Sequence, residues 1–582
     1  MVNERNYWTG RVSRRRSLQL SGAAATAAFL AACKAPESDT GAGSAPGARA
    51  TTQAGGSTGQ QAAAQTATPT KGGKIVRNVA GDPVSFDPHG TISYLTVEFI
   101  DMFHAKLVRY DSRTTPPYRN GDEDRIVGEL ADKWESPDPS TWVFKLKQGM
   151  KFQAKEPVNG REVVAEDVKW TWDRALSPGM QVEEWAWNNY EKVEAIDKYT
   201  VKFTSKQPNG RLPIDLAAYQ TWVLPREGEE KIGFKKMEGS TVGAGPWILD
   251  SYQPGSKWVG KRNPNYGPFP GAPYADELHV PIMVAQDART TAFRGKQLDI
   301  HGPLPTEVSS IKASNPDIKW KEQILQATNT WMLTYNVNEK PFNDIRVRRA
   351  ISLAFDREAW LKSPNLRAGK IESGPVTWGM GDWKLDPDKH GEAGQWFKYD
   401  VQKAKQLLSA AGYADGFDTE LFQTPQYGAS YMTEAELLQE FLAKIGVRAA
   451  IKNVEYSQWI SQHYTGKYTG MFWGPDNLDR LTQQFLSRYA SWSTRNHPVV
   501  KDPEVDRRLA AWRAISDLKK SKEAAWDLQK YFADQAYAVY RPQPFSASAW
   551  QPYLKNYEGE SEFLYDYGFR SAFMWTDPVQ KG

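Results

Sequence analysis

The sequence predicts an α/β protein built of several lobes, on three observations. Segments with strand periodicity and segments with helix periodicity alternate along the chain. At 582 residues the chain exceeds what one hydrophobic core fills, which favours two to four domains. A long stretch without branched aliphatic or aromatic residues separates a basic N-terminus from everything else. Mixed strand and helix order implies α/β lobes rather than a helix bundle or a β-sandwich. No internal repeat interrupts the pattern.

The elements follow in order. Lys74-Ile75-Val76-Arg77-Asn78-Val79 alternates like a first strand. Trp142-Val143-Phe144-Lys145-Leu146 has period two, as does Tyr199-Thr200-Val201-Lys202-Phe203. Between them, residues 165–175 are helical, with Val168, Trp172 and Ala175 on one face. Residues 345–360 read as one amphipathic helix carrying Val347, Ala350, Ile351, Ala354 and Phe355 at helical spacing. Residues 401–411 form another, closed by Gly412, and residues 432–445 a third, closed by Gly446.

The N-terminus reads as an export signal. Arg14-Arg15-Arg16 precedes a weakly apolar run over 18–32 that ends in Leu30-Ala31-Ala32-Cys33. A basic region, a short apolar region and small residues at the cut describe a secretory signal peptide. The run is shorter than the ~20 apolar residues a membrane span needs. Leu-Ala-Ala-Cys resembles the bacterial lipobox, in which the cysteine is lipidated and becomes the new N-terminus; Cys33 is the only cysteine in the chain. Ser13-Arg14-Arg15-Arg16-Ser17-Leu18 also resembles the twin-arginine export motif, with Ser17 where that motif usually has Phe, so both export routes stay open. Residues 34–72 are rich in Ala, Gly, Ser, Thr, Gln and Pro and read as a disordered tether. As a flexible coil it would reach roughly 35 Å.

Charge and composition exclude several classes. The formal charge is +4, and the five Arg and one Glu of the first 32 residues carry all of it. The remainder is neutral and has no basic excess for a nucleic-acid backbone. With one cysteine there is no internal disulfide and no expected thiol chemistry after lipidation. The seven His (His89, His104, His279, His301, His390, His463, His497) do not pair at metal-ligand spacing, so neither a metal nor a cofactor is expected. No Gly-x-Ser-x-Gly elbow and no His-Glu-x-x-His helix occurs.

A set of dense blocks resembles one family. Leu130-Ala131-Asp132-Lys133-Trp134-Glu135 leads into Thr141-Trp142-Val143-Phe144-Lys145-Leu146 and then Ala165-Glu166-Asp167-Val168. Gly243-Ala244-Gly245-Pro246-Trp247 and Arg262-Asn263-Pro264-Asn265-Tyr266 follow. Pro341-Phe342-Asn343-Asp344-Ile345-Arg346-Val347-Arg348-Arg349-Ala350, Ala354-Phe355-Asp356-Arg357 and Ala411-Gly412-Tyr413 complete the series. In order and spacing these are similar to the extracytoplasmic solute-binding proteins of ABC importers, family 5, the peptide/nickel-binding class. From the residues themselves, Asp344 should cap the helix that follows. Arg346, Arg348 and Arg349 should lie on a solvated or interlobe face, and Gly243 and Gly245 should permit a tight turn.

The resemblance implies a two-lobed periplasmic-binding-protein fold of type II, in the large class with an extra domain, hinged on crossover segments. Its boundaries here would be 74–110, 220–330 and 541–582 for lobe I, 111–219 for the extra domain and 331–540 for lobe II. The crossovers would lie near Trp331-Met332-Leu333-Thr334-Tyr335-Asn336 and Ala538-Val539-Tyr540-Arg541-Pro542. It implies a non-enzymatic, monomeric binding component that captures a peptide-like solute and hands it to an ABC permease and its ATPase subunits. The membrane would be reached through the lipid anchor alone.

Peptide-binding members hold the ligand's ammonium with an aspartate in a Trp-x-x-Asp segment. Trp473-Gly474-Pro475-Asp476 matches that position, which implies a ligand-binding role for Asp476. Trp473 and Asn477 flank it. The 90–94 loop, ending at Tyr94, resembles a family segment that can face ligand. The 23 Trp, 26 Tyr and 23 Phe supply further flat surfaces, among them Trp185, Trp187, Trp378 and Trp459. Two other ligands fit the same fold: an oligosaccharide, favoured by the Trp content, and nickel or a metal chelate. A tethered secreted hydrolase is the alternative from another class; its paired carboxylates would have to stand about 5–10 Å apart.

Overall fold

The computed structural model describes residues 68–582 except 92, 114–124, 183–186, 188, 219, 305, 325–329, 363–368, 372, 428, 477–480, 560–565 and 582. Cys33, the signal sequence and the tether lie outside the described residues.

The first lobe is built on a four-stranded sheet in the order Lys74–Val76, Glu277–Pro281, Lys257–Arg262, Trp247–Gln253. The first pair is parallel and the others antiparallel. The predicted first strand ends at Val76, but Val79 rejoins the sheet edge through a bridge to Ile282. Ile75, Phe99, Phe103, Trp222, Trp247, Trp258 and Leu278 fill the core. The C-terminal tail closes the lobe: Trp247 Nε1 donates to the Gly568 carbonyl at 2.9 Å, and the Phe569 amide donates to Asp101 at 3.1 Å.

The extra domain is an antiparallel sheet in the order Ala131–Asp138, Thr141–Leu146, Thr200–Ser205, Tyr190–Asp197. The helix Ala165–Ala175 covers it with the predicted face, and the Trp172 ring meets Phe203 edge-on at 5.1 Å. Alternation within Thr141–Leu146 puts Phe144 and Leu146 inward and leaves Lys145 exposed.

The second lobe has a five-stranded sheet in the order Val447–Asn453, Phe417–Gln423, Met471–Asp476, Thr330–Tyr335, Ala538–Tyr540. The first three run parallel; Thr330–Tyr335 is antiparallel to both its neighbours. Helices Ile345–Ala354, Val401–Ala410 and Ala429–Ala443 share one core with it through Leu333, Ile351, Leu408, Leu421, Leu438 and Trp473. Thr330–Tyr335 and Ala538–Tyr540 are therefore strands of the lobe. The returning chain leaves the second sheet at Arg541–Pro542. From there the strand Gln543–Trp550 pairs first with Gly369–Lys370 and then with Lys319–Ile324 of the first lobe.

Four local expectations are corrected. Residues 345–360 form two helices, Ile345–Ala354 and Arg357–Leu361. Phe355 is extended, with ψ 104°, and Asp356 starts a new helix by accepting from the Ala359 amide at 2.9 Å. The third helix begins earlier, at Ala429. Arg348 is buried rather than solvated and donates to the carbonyls of Phe342, Asn343 and Gln535. Gly243 and Gly245 serve close approach instead of a positive-φ turn: a Cβ on Gly243 would stand 2.2 Å from the Phe103 carbonyl oxygen. The Asp344 cap forms as expected, accepting from the Arg346 amide at 2.8 Å.

Candidate functional site: the interlobe edge of the second sheet

The parallel strands Phe417–Gln423, Val447–Asn453 and Met471–Asp476 end at one edge of the second sheet. In sheets of this kind, ligands bind outside the carboxyl ends of parallel strands. Asp476 is the last residue of its strand and is in register with Thr330, where the chain arrives from the first lobe. The Asp476 side chain and all of Asn477 lie outside the described residues.

Beneath this edge is an aromatic floor. Trp473 is 1% exposed and packs against Trp331 and Trp360, with ring centroids 5.5 and 5.4 Å away. Strand alternation sends Trp473 to the helical face and Phe472 to the other, where Phe472 stacks on Trp459 at 4.2 Å. Trp331 in turn lies parallel to Tyr431, 4.0 Å apart at 5°. Arg541, on the returning crossover, covers both rings at 5.6 and 5.8 Å. Its Nη1 donates to both carboxylate oxygens of Glu434, and its amide donates to the Trp331 carbonyl. Burial pushes the Glu434 carboxyl above the usual range, against the pull of Arg541.

Trp378 stands at the same junction. Its amide donates to the side-chain oxygen of Gln543, the first residue of the strand returning to the first lobe, and its indole donates to the Ile371 carbonyl at 2.8 Å. Lys370 Nζ lies 4.3 Å above its ring. Tyr94 opens the helix Tyr94–Asp101 of the first lobe and is 37% exposed. Burial, Glu98 and the second-lobe Tyr456 push its phenol up, while Arg289 pulls it down.

Trp473 lies in the floor beneath the strand ends and Trp378 beside the strand returning to the first lobe, whereas Tyr94 opens a first-lobe helix. Trp187 is fully buried against His89 and Trp172. Trp185 lies outside the described residues. Sequence reasoning missed the Arg541–Glu434 pair and the helix Leu481–Tyr489, which is buried on every side although it carries Thr482, Gln483, Gln484 and Arg488. Arg488 Nη1 donates to the Pro375 carbonyl at 3.0 Å. It also missed the cluster in which first-lobe Asp87 and His89 meet Arg174 of the extra domain. Arg174 donates to Asp87 at 2.7 Å and meets His89 Nδ1 at 3.1 Å, and burial with the Arg174 charge drives His89 down to about 3. Among the described residues no group of three His, Cys, Asp or Glu could hold a metal, and no helix is long and apolar enough to cross a membrane.

Residues 125–496 match the model of the bacterial extracellular solute-binding proteins, family 5. The chain belongs to that family. A dipeptide-binding protein of Escherichia coli is 27% identical over 79% of this chain and 87% of its own length. A dipeptide-binding protein of Pseudomonas aeruginosa is 25% identical over 82% and 92%. Among solved structures, a periplasmic binding protein of Helicobacter pylori in complex with the peptide STSA aligns with a TM-score of 0.70 at 23% identity, covering 87% of this chain and 99% of that one. An agropinic acid complex from Agrobacterium tumefaciens aligns at 0.71 and 23%, with the same coverage. These likenesses define the two-lobed fold. Family members are solute-binding proteins.

Proposed function

We propose that this chain is the substrate-binding component of an ABC importer and that it captures a peptide-like solute between its lobes. The observation that carries the reading is the position of Asp476: it ends its strand at the carboxyl edge of the parallel set, beside the crossing between lobes. A carboxylate there can take a ligand's ammonium in a charge-assisted hydrogen bond, which is strong where water is excluded. The dipeptide-binding relatives support the ligand class. Solute binding shifts the lobe equilibrium toward closure, and the closed form docks on the permease. The chain performs no chemistry of its own in this reading. Cys33 carries a lipid that holds the body outside the cytoplasmic membrane, with residues 34–72 as the tether.

Thermal shifts with Ala-Ala, Ala-Ala-Ala, cellobiose and nickel chloride test the ligand class. Stabilisation by the peptides, and its loss with acetylated Ala-Ala-Ala, is the expected result. Stabilisation by cellobiose or nickel alone overturns it. Asp476→Ala should weaken peptide binding by at least tenfold; unchanged affinity removes Asp476 from the site.

A further inference from the structure

The extra domain is fastened to the first lobe by several contacts. Gln153 bonds the backbone of Gly243 and Trp247, Arg174 pairs with Asp87, and Thr171 accepts from the Leu224 amide. One segment of the same domain reaches the other way. Residues 209–215 follow the strand Thr200–Ser205 and enter the short helix Leu212–Leu216, and they press against the second-lobe helices Pro503–Arg513 and Leu518–Gln535.

The contact is built in detail. Arg513 Nη2 donates to Asp215 at 3.0 Å, with side chains 7% and 0% exposed. Asn209 donates to the same Asp215 oxygen at 3.0 Å. Arg211 Nη1 donates to the Ser521 hydroxyl at 2.9 Å, and its guanidinium lies 4.5 Å from the Trp512 ring and 5.2 Å from that of Trp383. The Gly210 amide donates to the Arg513 carbonyl at 3.0 Å. A Cβ on Gly210 would have as its three nearest atoms only those of Ile515 and Ser516, at 2.5 to 2.8 Å. All of Arg513, Ile515, Ser516, Ser521, Trp383 and Trp512 belong to the second lobe.

A buried ion pair that spans two bodies is costly to leave half made. Lobe opening that separates the extra domain from the helices at 503–535 would strand Asp215 and Arg513 away from one another. We infer that residues 209–215 form a closure latch between the extra domain and the second lobe. The latch biases the lobes toward the closed arrangement before any solute arrives. A receptor that is already partly closed gains apparent affinity by the fraction that is competent to bind.

Small-angle scattering of the full chain, stripped of bound solute, tests this without knowledge of the ligand. Gly210→Ala is the cleanest probe, since the added methyl meets second-lobe backbone and leaves the extra domain's own packing alone. Asp215→Asn removes the pair at nearly constant shape. Both variants should show a larger radius of gyration than the parent, with an unchanged circular dichroism spectrum. Profiles that superimpose on the parent overturn the latch. Should Asp215→Asn fail to fold, Gly210→Ala decides alone: a parent-like radius refutes the latch and an expanded one supports it.

Discussion

Arg541 holds Glu434 through hydrogen bonds of 3.0 and 3.1 Å to its two carboxylate oxygens, with side chains 4% and 6% exposed, at the point where the chain leaves the second lobe. The crossover residue is thereby tied to the helix Ala429–Ala443 beneath the solute edge. Removing one partner of a buried pair leaves an uncompensated charge and costs about 3–5 kcal/mol. Glu434→Ala should lower the urea midpoint accordingly. Replacing both partners, as Glu434→Leu with Arg541→Met, should cost much less. Urea titrations of the single and double variants check the non-additivity.

The tail makes a second buried network. Lys106 donates to Asp566 at 2.7 Å, Arg109 donates to Asp101 at 2.7 Å and Asp566 at 3.2 Å, and Tyr266 donates to Glu129 at 2.8 Å. Three carboxylates and two cations are thus held in the first-lobe interior, and one of them arrives from the last twenty residues. Asp566→Ala should destabilise the first lobe by about 3 kcal/mol, again by stranding cations. Limited proteolysis should then cut near residue 550, where the parent resists.

The reach of sequence reasoning followed the range of the interactions. Thr141–Leu146 and Ala165–Ala175 were legible because alternation and helical spacing are local. The break at Phe355 was not, since apolar residues keep helical spacing through Trp360 and only the Asp356 cap ends the first helix. Arg541 and Glu434 are 107 positions apart, and no local pattern announces such a pair. The helix Leu481–Tyr489 misleads for a related reason. Its Thr, Gln and Arg residues carry no local apolar pattern, yet the fold encloses all of them. The Trp-x-x-Asp segment was recognisable, but only the sheet register shows Trp473 turned into the core beneath Asp476.

Gly243 belongs to the Gly-x-Gly-Pro-Trp block, and its neighbours explain the residue. An added Cβ would meet the Phe103 carbonyl oxygen at 2.2 Å and the His104 ring at 2.5 Å. Backbone cannot retreat as a flexible side chain can, so overpacking should cost at least about 1–3 kcal/mol. Gly243→Ala should lower the melting temperature. At Gly255 an added Cβ would meet nothing within 4 Å, so Gly255→Ala meets no steric barrier, although its φ of +70° still carries backbone strain.

His104 gives the first lobe a pH signature. It is fully buried, its Nε2 lies 2.7 Å from the Ser240 carbonyl, and burial lowers its pKa from 6.5 to about 4. The folded state therefore keeps it neutral while the unfolded chain protonates it below about 6.5. Its contribution is present above that value and is lost as pH falls toward 4, because the unfolded state binds the extra proton. At pH 5 the loss is about 2 kcal/mol, from 1.36 kcal/mol per pH unit below 6.5. Other buried groups titrate in the same range, so the comparison must be with a variant. His104→Gln keeps a donor for the Ser240 carbonyl and removes the titration. Urea midpoints from pH 7.5 to pH 5 should fall more steeply for the parent than for His104→Gln, and parallel slopes would assign the acid sensitivity elsewhere.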